Sequence, residues 1–136
     1  MTQEEVISFN KPIPKKILLV DDEEPIRALI IAVLHHDKRY RILEAKDGLE
    51  ALEIARKEKP DLMLLDVMMP LMNGFEVCRH IKSDPQTNGI IIILLTGMAE
   101  NADKAHCKEV GANGYFPKPF APVDLLKKVE EVLGFG

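Results

Sequence analysis

Asp61-Leu62-Met63-Leu64-Leu65-Asp66 is a short apolar run with a carboxylate at either end. An unbroken Leu/Met run without alternation is what a strand covered on both faces of a parallel sheet requires. Such a strand delivers Asp66 to the rim of the sheet, and ligands in open α/β sheets bind at that rim, outside the carboxyl ends of the strands. Other apolar runs end in the same way. Lys16–Val20 leads into Asp21-Asp22-Glu23-Glu24, Ile90–Leu95 into Thr96-Gly97, and Asn113-Gly114-Tyr115-Phe116 into Pro117-Lys118-Pro119.

Helical segments separate these runs. Pro25 suits the first turn of a helix reaching about His36, with acidic residues against its positive end and Ile26, Leu29, Ile30, Val33 and Leu34 as its apolar stripe. Arg41 to Ala45 reads as a second strand, and Asp47-Gly48 turns into a helix carrying Leu49, Ala51, Leu52, Ile54 and Ala55, which Lys59-Pro60 stops. Phe75, Val77, Cys78 and Ile81 mark a third helix. Asn73-Gly74 before it is nominally a hairpin signal, but no strand of period two follows. The segment from Asn101 to Val110 is poor in apolar residues and is expected to be the most mobile covering element. A last helix, about Pro122 to Leu133, stops at Gly134.

Strands alternating with helices give an α/β fold: a doubly wound, five-stranded parallel sheet with helices on both faces. Pro117 has no N–H to offer a ladder, which puts the last strand at an edge and fits the strand order 2-1-3-4-5. Residues 1 to 15 lack sustained periodicity and read as a flexible lead-in, leaving one domain over 16–134.

Composition narrows the function classes. Apolar residues make up 46% and charged residues 29% of the 136, the balance of a globular rather than a disordered chain. A formal net charge of −4 argues against direct nucleic-acid binding by this domain, which would need a basic stripe. The Ile90–Leu95 run is too short to span a bilayer and the amino terminus carries no signal-peptide pattern, so the expectation is a cytoplasmic protein with no membrane association. Cys78 and Cys107 lack metal or dithiol spacing and are expected to be free thiols. His35-His36, His80 and His106 likewise show no ligand spacing.

In the 2-1-3-4-5 arrangement Asp21, Asp22, Asp66, Thr96 and Lys118 converge on one patch. Two carboxylates about 4 Å apart repel by roughly 4 kcal/mol at an effective dielectric near 20, so a hard divalent cation among them is expected, and with it a gain in metal-free stability on Asp21→Asn. Mg²⁺, or Mn²⁺ in its place, takes one or two carboxylates and spends its other positions on water and phosphate oxygens. With a metal there, Asp66 is placed as a carboxylate nucleophile toward a phosphoryl group, while Lys118 and Thr96 stabilise its oxygens.

Val20-Asp21-Asp22, Leu65-Asp66-Val67-Met68-Met69-Pro70 with Gly74 after it, Leu95-Thr96-Gly97, Gly111-Ala112-Asn113-Gly114-Tyr115 and Lys118-Pro119-Phe120 together resemble the receiver domain of two-component response regulators. The likeness runs from Lys16 to Leu133 in order, and the flavodoxin-like strand order is a known property of that fold rather than a new result. The resemblance implies that Asp66 is the phosphoacceptor, served by a sensor histidine kinase or a histidine phosphotransfer protein, and that the chain is not itself an enzyme beyond self-catalysed transfer and autodephosphorylation. It implies Mg²⁺ ligation by Asp22, Asp66 and the Met68 carbonyl, with Asp21 acting directly or through water. Thr96 and Tyr115 would form the switch pair, and Lys118-Pro119 would be cis. Met68, Gly97 and Met98 would line the approach to the phosphoryl group, the two methionines screening it from water. The output would be read on the surface of the fourth helix, last strand and fifth helix, by a partner or in a homodimer.

Other readings fit less well. A Mg²⁺-dependent phosphatase of the haloacid dehalogenase type wants a second Asp where Met68 stands, and a nucleotide site wants a glycine-rich loop where Asp21–Glu24 stand. A docking module that works without phosphorylation would have no use for the full set of acidic, hydroxyl and ammonium groups.

Overall fold

A computed structural model describes residues 13–97 and 101–135, with side chains from residue 104 onward in the second stretch. Five parallel strands form one sheet in the order β2-β1-β3-β4-β5. They are β1 Lys15–Val20, β2 Tyr40–Ala45, β3 Leu62–Asp66, β4 Ile91–Thr96 and β5 Gly114–Pro117. The intervening helices are α1 Glu24–Leu34, α2 Gly48–Glu58, α3 Gly74–Ser83, α4 Asn101–Glu109 and α5 Pro122–Val132. The expected topology is observed, with β5 and its Pro117 at the edge.

Alternation along the strands divides the core into two layers. Leu18, Val20, Met63, Leu65, Ile92 and Leu94 pack under α2, α3 and α4 against Ala51, Leu52, Ala55, Phe75, Val77, Cys78, Ile81 and Cys107. Ile17, Leu19, Leu62, Leu64, Ile93 and Leu95 face the other way, onto Ile30 and Leu34 of α1 and Leu125 and Val129 of α5. Every residue of β3 is buried, as its unbroken apolar composition demands. Asp61 lies just outside that strand, where its carboxylate accepts from the Lys16 backbone N–H at 2.8 Å.

Two apolar residues assigned to covering faces lie elsewhere. Leu29 is 41% and Leu49 65% exposed. Each sits well round its helix from the residues that reach the sheet, Ile30 and Leu34 on α1 and Ala51, Leu52 and Ala55 on α2. Both cysteines are buried thiols outside any disulfide. Met63 and Met69 are buried packing residues.

Asn73-Gly74 is a helix start. Asn73 accepts from the Glu76 N–H at 2.9 Å while the Glu76 carboxylate accepts from the Asn73 N–H at 3.3 Å, a reciprocal cap on α3. Gly74 follows because no other residue fits: a Cβ there would overlap the Asp66 carbonyl oxygen and fall 2.8 Å from the Val67 Cα. The first turn of α3 is thereby pressed against the backbone that carries Asp66, with the Gly74 N–H donating to the Val67 carbonyl at 2.9 Å.

Gly74→Ala is expected to destabilise the protein by about 1–3 kcal/mol, because the obstacle is backbone and cannot turn aside. Gly89, whose Cβ would meet nothing within 4 Å, provides the control. Its replacement by Ala should change the unfolding free energy measured in urea by no more than about 0.5 kcal/mol.

Candidate functional site

Register places the polar residues beside one another. Val20 pairs with Leu65, so Asp21 and Asp66 emerge side by side from β1 and β3. Asp66 pairs with Leu95, leaving Thr96 as the next residue of β4, and Thr96 pairs with Pro117, leaving Lys118 next after β5. The Lys118 N–H donates to the Thr96 carbonyl at 2.7 Å, and the Lys118-Pro119 bond is cis.

The Lys118 side chain crosses the site. Its Nζ lies 2.8 Å from Asp21 Oδ2 and 3.1 Å from Asp66 Oδ1, so one ammonium bridges two carboxylates. Asp21 is wholly buried and Asp66 and Thr96 nearly so, each 3% exposed. Asp22 is exposed, yet one oxygen from each of Asp21, Asp22 and Asp66 lies within 4.8 Å of the others. Three carboxylates against one ammonium leave an excess of negative charge among oxygen donors alone, a donor set compatible with Mg²⁺.

The three carboxylates are not held alike. Asp21 accepts from the Glu23 N–H at 2.9 Å in addition to Lys118, and Arg27 Nη1 donates to the Asp21 carbonyl at 2.7 Å. Asp66 has Lys118 and a longer contact from the Met68 N–H at 3.3 Å. Burial, and then the negative charge of Asp21, push the Asp66 carboxyl up to about 6 despite the pull of Lys118. Burial works against the Lys118 charge, but the hydrogen bond it donates to Asp21 and the charges of both carboxylates outweigh it, so its pKa rises. The raised pKa falls on Asp66, in part through the charge of Asp21, while Asp21 is anchored by the Glu23 N–H and Lys118.

The other predicted residues that the structure describes have definite places. The Met68 side chain is 73% exposed, turned away from the core although its N–H faces Asp66. Gly97 is exposed, and nothing within 4 Å would obstruct a Cβ there. Met98 lies outside the described residues. Tyr115 is half-buried against the α2–α4 side of the core, with Lys104 Nζ of α4 at 5.8 Å from its ring centroid. Two contributors were not singled out in the sequence. Arg27 carries no motif signal beyond a cation in an acidic helix start, whereas the Asn73–Glu76 cap was readable from its Asn-x-x-Glu spacing.

The response regulator receiver domain pattern matches residues 17–130, and the chain belongs to that family of two-component signalling domains. The phosphate regulon transcriptional regulatory protein PhoB of Pseudomonas aeruginosa is 43% identical over 119 residues, which cover 88% of this chain and 52% of that protein. The alkaline phosphatase synthesis transcriptional regulatory protein PhoP of Bacillus subtilis is also 43% identical over 119 residues, covering 88% of this chain and 48% of that one. The chain thus spans about half the length of these curated relatives. Among solved structures, the chemotaxis protein CheY4 of Vibrio cholerae is similar with a TM-score of 0.83 and 37% identity, over 88% of this chain and 99% of that one. The receiver domain of the sensor histidine kinase PA1611 from Pseudomonas aeruginosa matches with a TM-score of 0.80 and 30% identity, over 90% of this chain and 99% of that one. That structure has a magnesium ion coordinated in the active site cleft. No helix among the described residues is long and apolar enough to cross a membrane.

The raised Asp66 pKa fixes the sign of a pH effect in the metal-free protein. A carboxyl that titrates higher when folded contributes stability that is fully present below its unfolded value near 4 and is lost as pH rises through about 6. Asp66→Asn removes this dependence. Urea midpoints measured without metal at several pH values should show the variant gaining on the parent between about pH 4 and pH 6, then holding a constant lead above that range.

Proposed function

We propose that this domain receives a phosphoryl group on Asp66 from a phosphohistidine donor, either a sensor histidine kinase or a histidine phosphotransfer protein. The observation that carries the reading is the bridge from Lys118 to Asp21 and Asp66, which gathers an acceptor carboxylate, an anchoring carboxylate and a cation from separate strand ends. An Asp66 oxygen attacks phosphorus, the P–O bond forms as the P–N bond breaks, and the imidazole nitrogen leaves with the electron pair. Lys118 donates to a phosphoryl oxygen as negative charge gathers there, and the Thr96 hydroxyl donates to another.

Asp22, Asp66 and the Met68 carbonyl would hold Mg²⁺, with Asp21 completing the set directly or through water. When bound, the cation supplies charge neutralisation for the transferring group. Asp21 meanwhile keeps Lys118 pointed inward, and the buried floor beneath Asp66 limits water at the acceptor. Met68 and Gly97 flank the open side.

The phosphoryl group carries roughly −1.5 to −2 charges if it resembles that on other phosphorylated side chains, and because the ionised acceptor carboxylate gives up its own charge on esterification the site gains about −0.5 to −1. Thr96 and Tyr115 form the switch pair. Thr96 moves to the phosphoryl group, Tyr115 turns into the space it leaves, and the face made by α4, β5 and α5 changes for a partner, an output domain or a second protomer. The domain works as a cytoplasmic phosphoacceptor whose only catalysis is on itself.

Acetyl phosphate with Mg²⁺ tests this reading. Intact mass measurement should show one phosphoryl group added to the parent, none to Asp66→Asn, and loss of the adduct on chelation before mixing. Addition of the same mass to Asp66→Asn would refute the assignment. Met68→Glu should also shorten the life of the adduct, read as inorganic phosphate released over time, since it brings a carboxylate and its water to a formerly apolar edge.

A further inference from the structure

Phe75 is the second residue of α3, and its ring is stacked on that of His106 from α4, with centroids 3.8 Å apart and planes 18° from parallel. Phe75 is 8% exposed, so the stack lies at the edge of the core rather than loose on the surface. Immediately before it, Gly74 is seated against the Asp66 and Val67 backbone so tightly that a Cβ could not be added. An unbroken line of close contact therefore runs from the backbone of Asp66 through Gly74 and Phe75 to His106. Phe75 also lines a groove of about 470 Å³ together with Val67, Met68 and Met69 of the loop that follows Asp66.

The helix at the far end of this line buries few of its described side chains. Among its described side chains only Cys107 is buried, and Val110 joins the core just beyond the last helical residue. Among the described residues it has one further ring contact, from Lys104 to Tyr115. A shift of the first turn of α3 is thus passed to α4 through a flat, well-aligned stack rather than dissipated among many small contacts.

We propose that the Phe75–His106 stack is the positioning contact that couples occupancy of the Asp66 site to α4, with Phe75 and His106 acting on the output rather than on the transfer itself. The inference rests on the reading of Asp66 as phosphoacceptor. It adds a route from that residue through α3, separate from the one that would run along β4 through Thr96 to Tyr115. Because coupling is reciprocal, cutting the route leaves the site free to bind without displacing α4, so affinity stays the same or tightens.

The experiment uses the whole chain with Mg²⁺ and beryllium fluoride, a phosphoryl mimic for carboxylates. Calorimetry reads binding, and backbone hydrogen exchange over residues 104–110 reads α4. The parent should bind and change its α4 exchange. Phe75→Leu and His106→Ala should bind within about twofold of the parent or more tightly, yet lose more than half of the α4 response, and His106→Phe should restore it by keeping a ring in place. A full response in His106→Ala, no rescue by His106→Phe, or binding weakened more than about tenfold in both variants would overturn the proposal. Binding by the parent without any α4 response would also overturn it while leaving the acceptor reading intact. Failure of the parent to bind would remove that reading, and this proposal with it.

Discussion

A single ammonium held between two buried carboxylates organises the functional end of this protein. Lys118 reaches Asp21 and Asp66 at 2.8 and 3.1 Å, and each of these residues follows or ends a different strand. Burying three charges together is costly unless they compensate one another, and here the compensation is incomplete. Asp21 is pinned by backbone N–H donation and by Lys118, so the deficit falls on Asp66, whose carboxyl is pushed up to about 6. A hard cation would relieve that deficit, and an incoming phosphoryl group would exploit the same fixed charges.

The sheet exists in the form it does partly to make this meeting possible. Parallel pairing in the order β2-β1-β3-β4-β5 brings all the carboxyl ends to one rim, and strand registers set the ends level. The switch of direction between β1 and β3 opens the crevice there. The first turn of α3 sits close against the rim, with Gly74 packed on the backbone of Asp66 and Val67. The close seating of Gly74 on the acceptor backbone and the Phe75–His106 stack onto α4 are neighbouring features of the same side of the sheet.

Much of this was legible in the chain itself. Unbroken apolar runs ending in Asp21, Asp66, Thr96 and Lys118 gave the strands, their order and the meeting point, because parallel sheets leave little freedom once strands and crossovers are identified. Leu29 and Leu49 were misplaced because a leucine near a helical stripe is apolar whether or not the sheet reaches it. Which carboxylate bears the strain was also hidden. Composition reveals that Asp21 and Asp66 repel, but only coordinates reveal that Glu23 N–H and Lys118 favour the first. Long-range partners such as Phe75 and His106, separated by a strand and a helix, leave no trace in local spacing.

Titration of Mg²⁺ into the metal-free protein, followed through the backbone amides, addresses the central claim most directly. The account predicts one saturable site, with the largest shifts at Asp21, Asp22, Asp66, Met68 and Lys118 and little change at the opposite end of the sheet around Lys15 and Lys59. Shifts that fail to saturate, or that centre away from those strand ends, would contradict it.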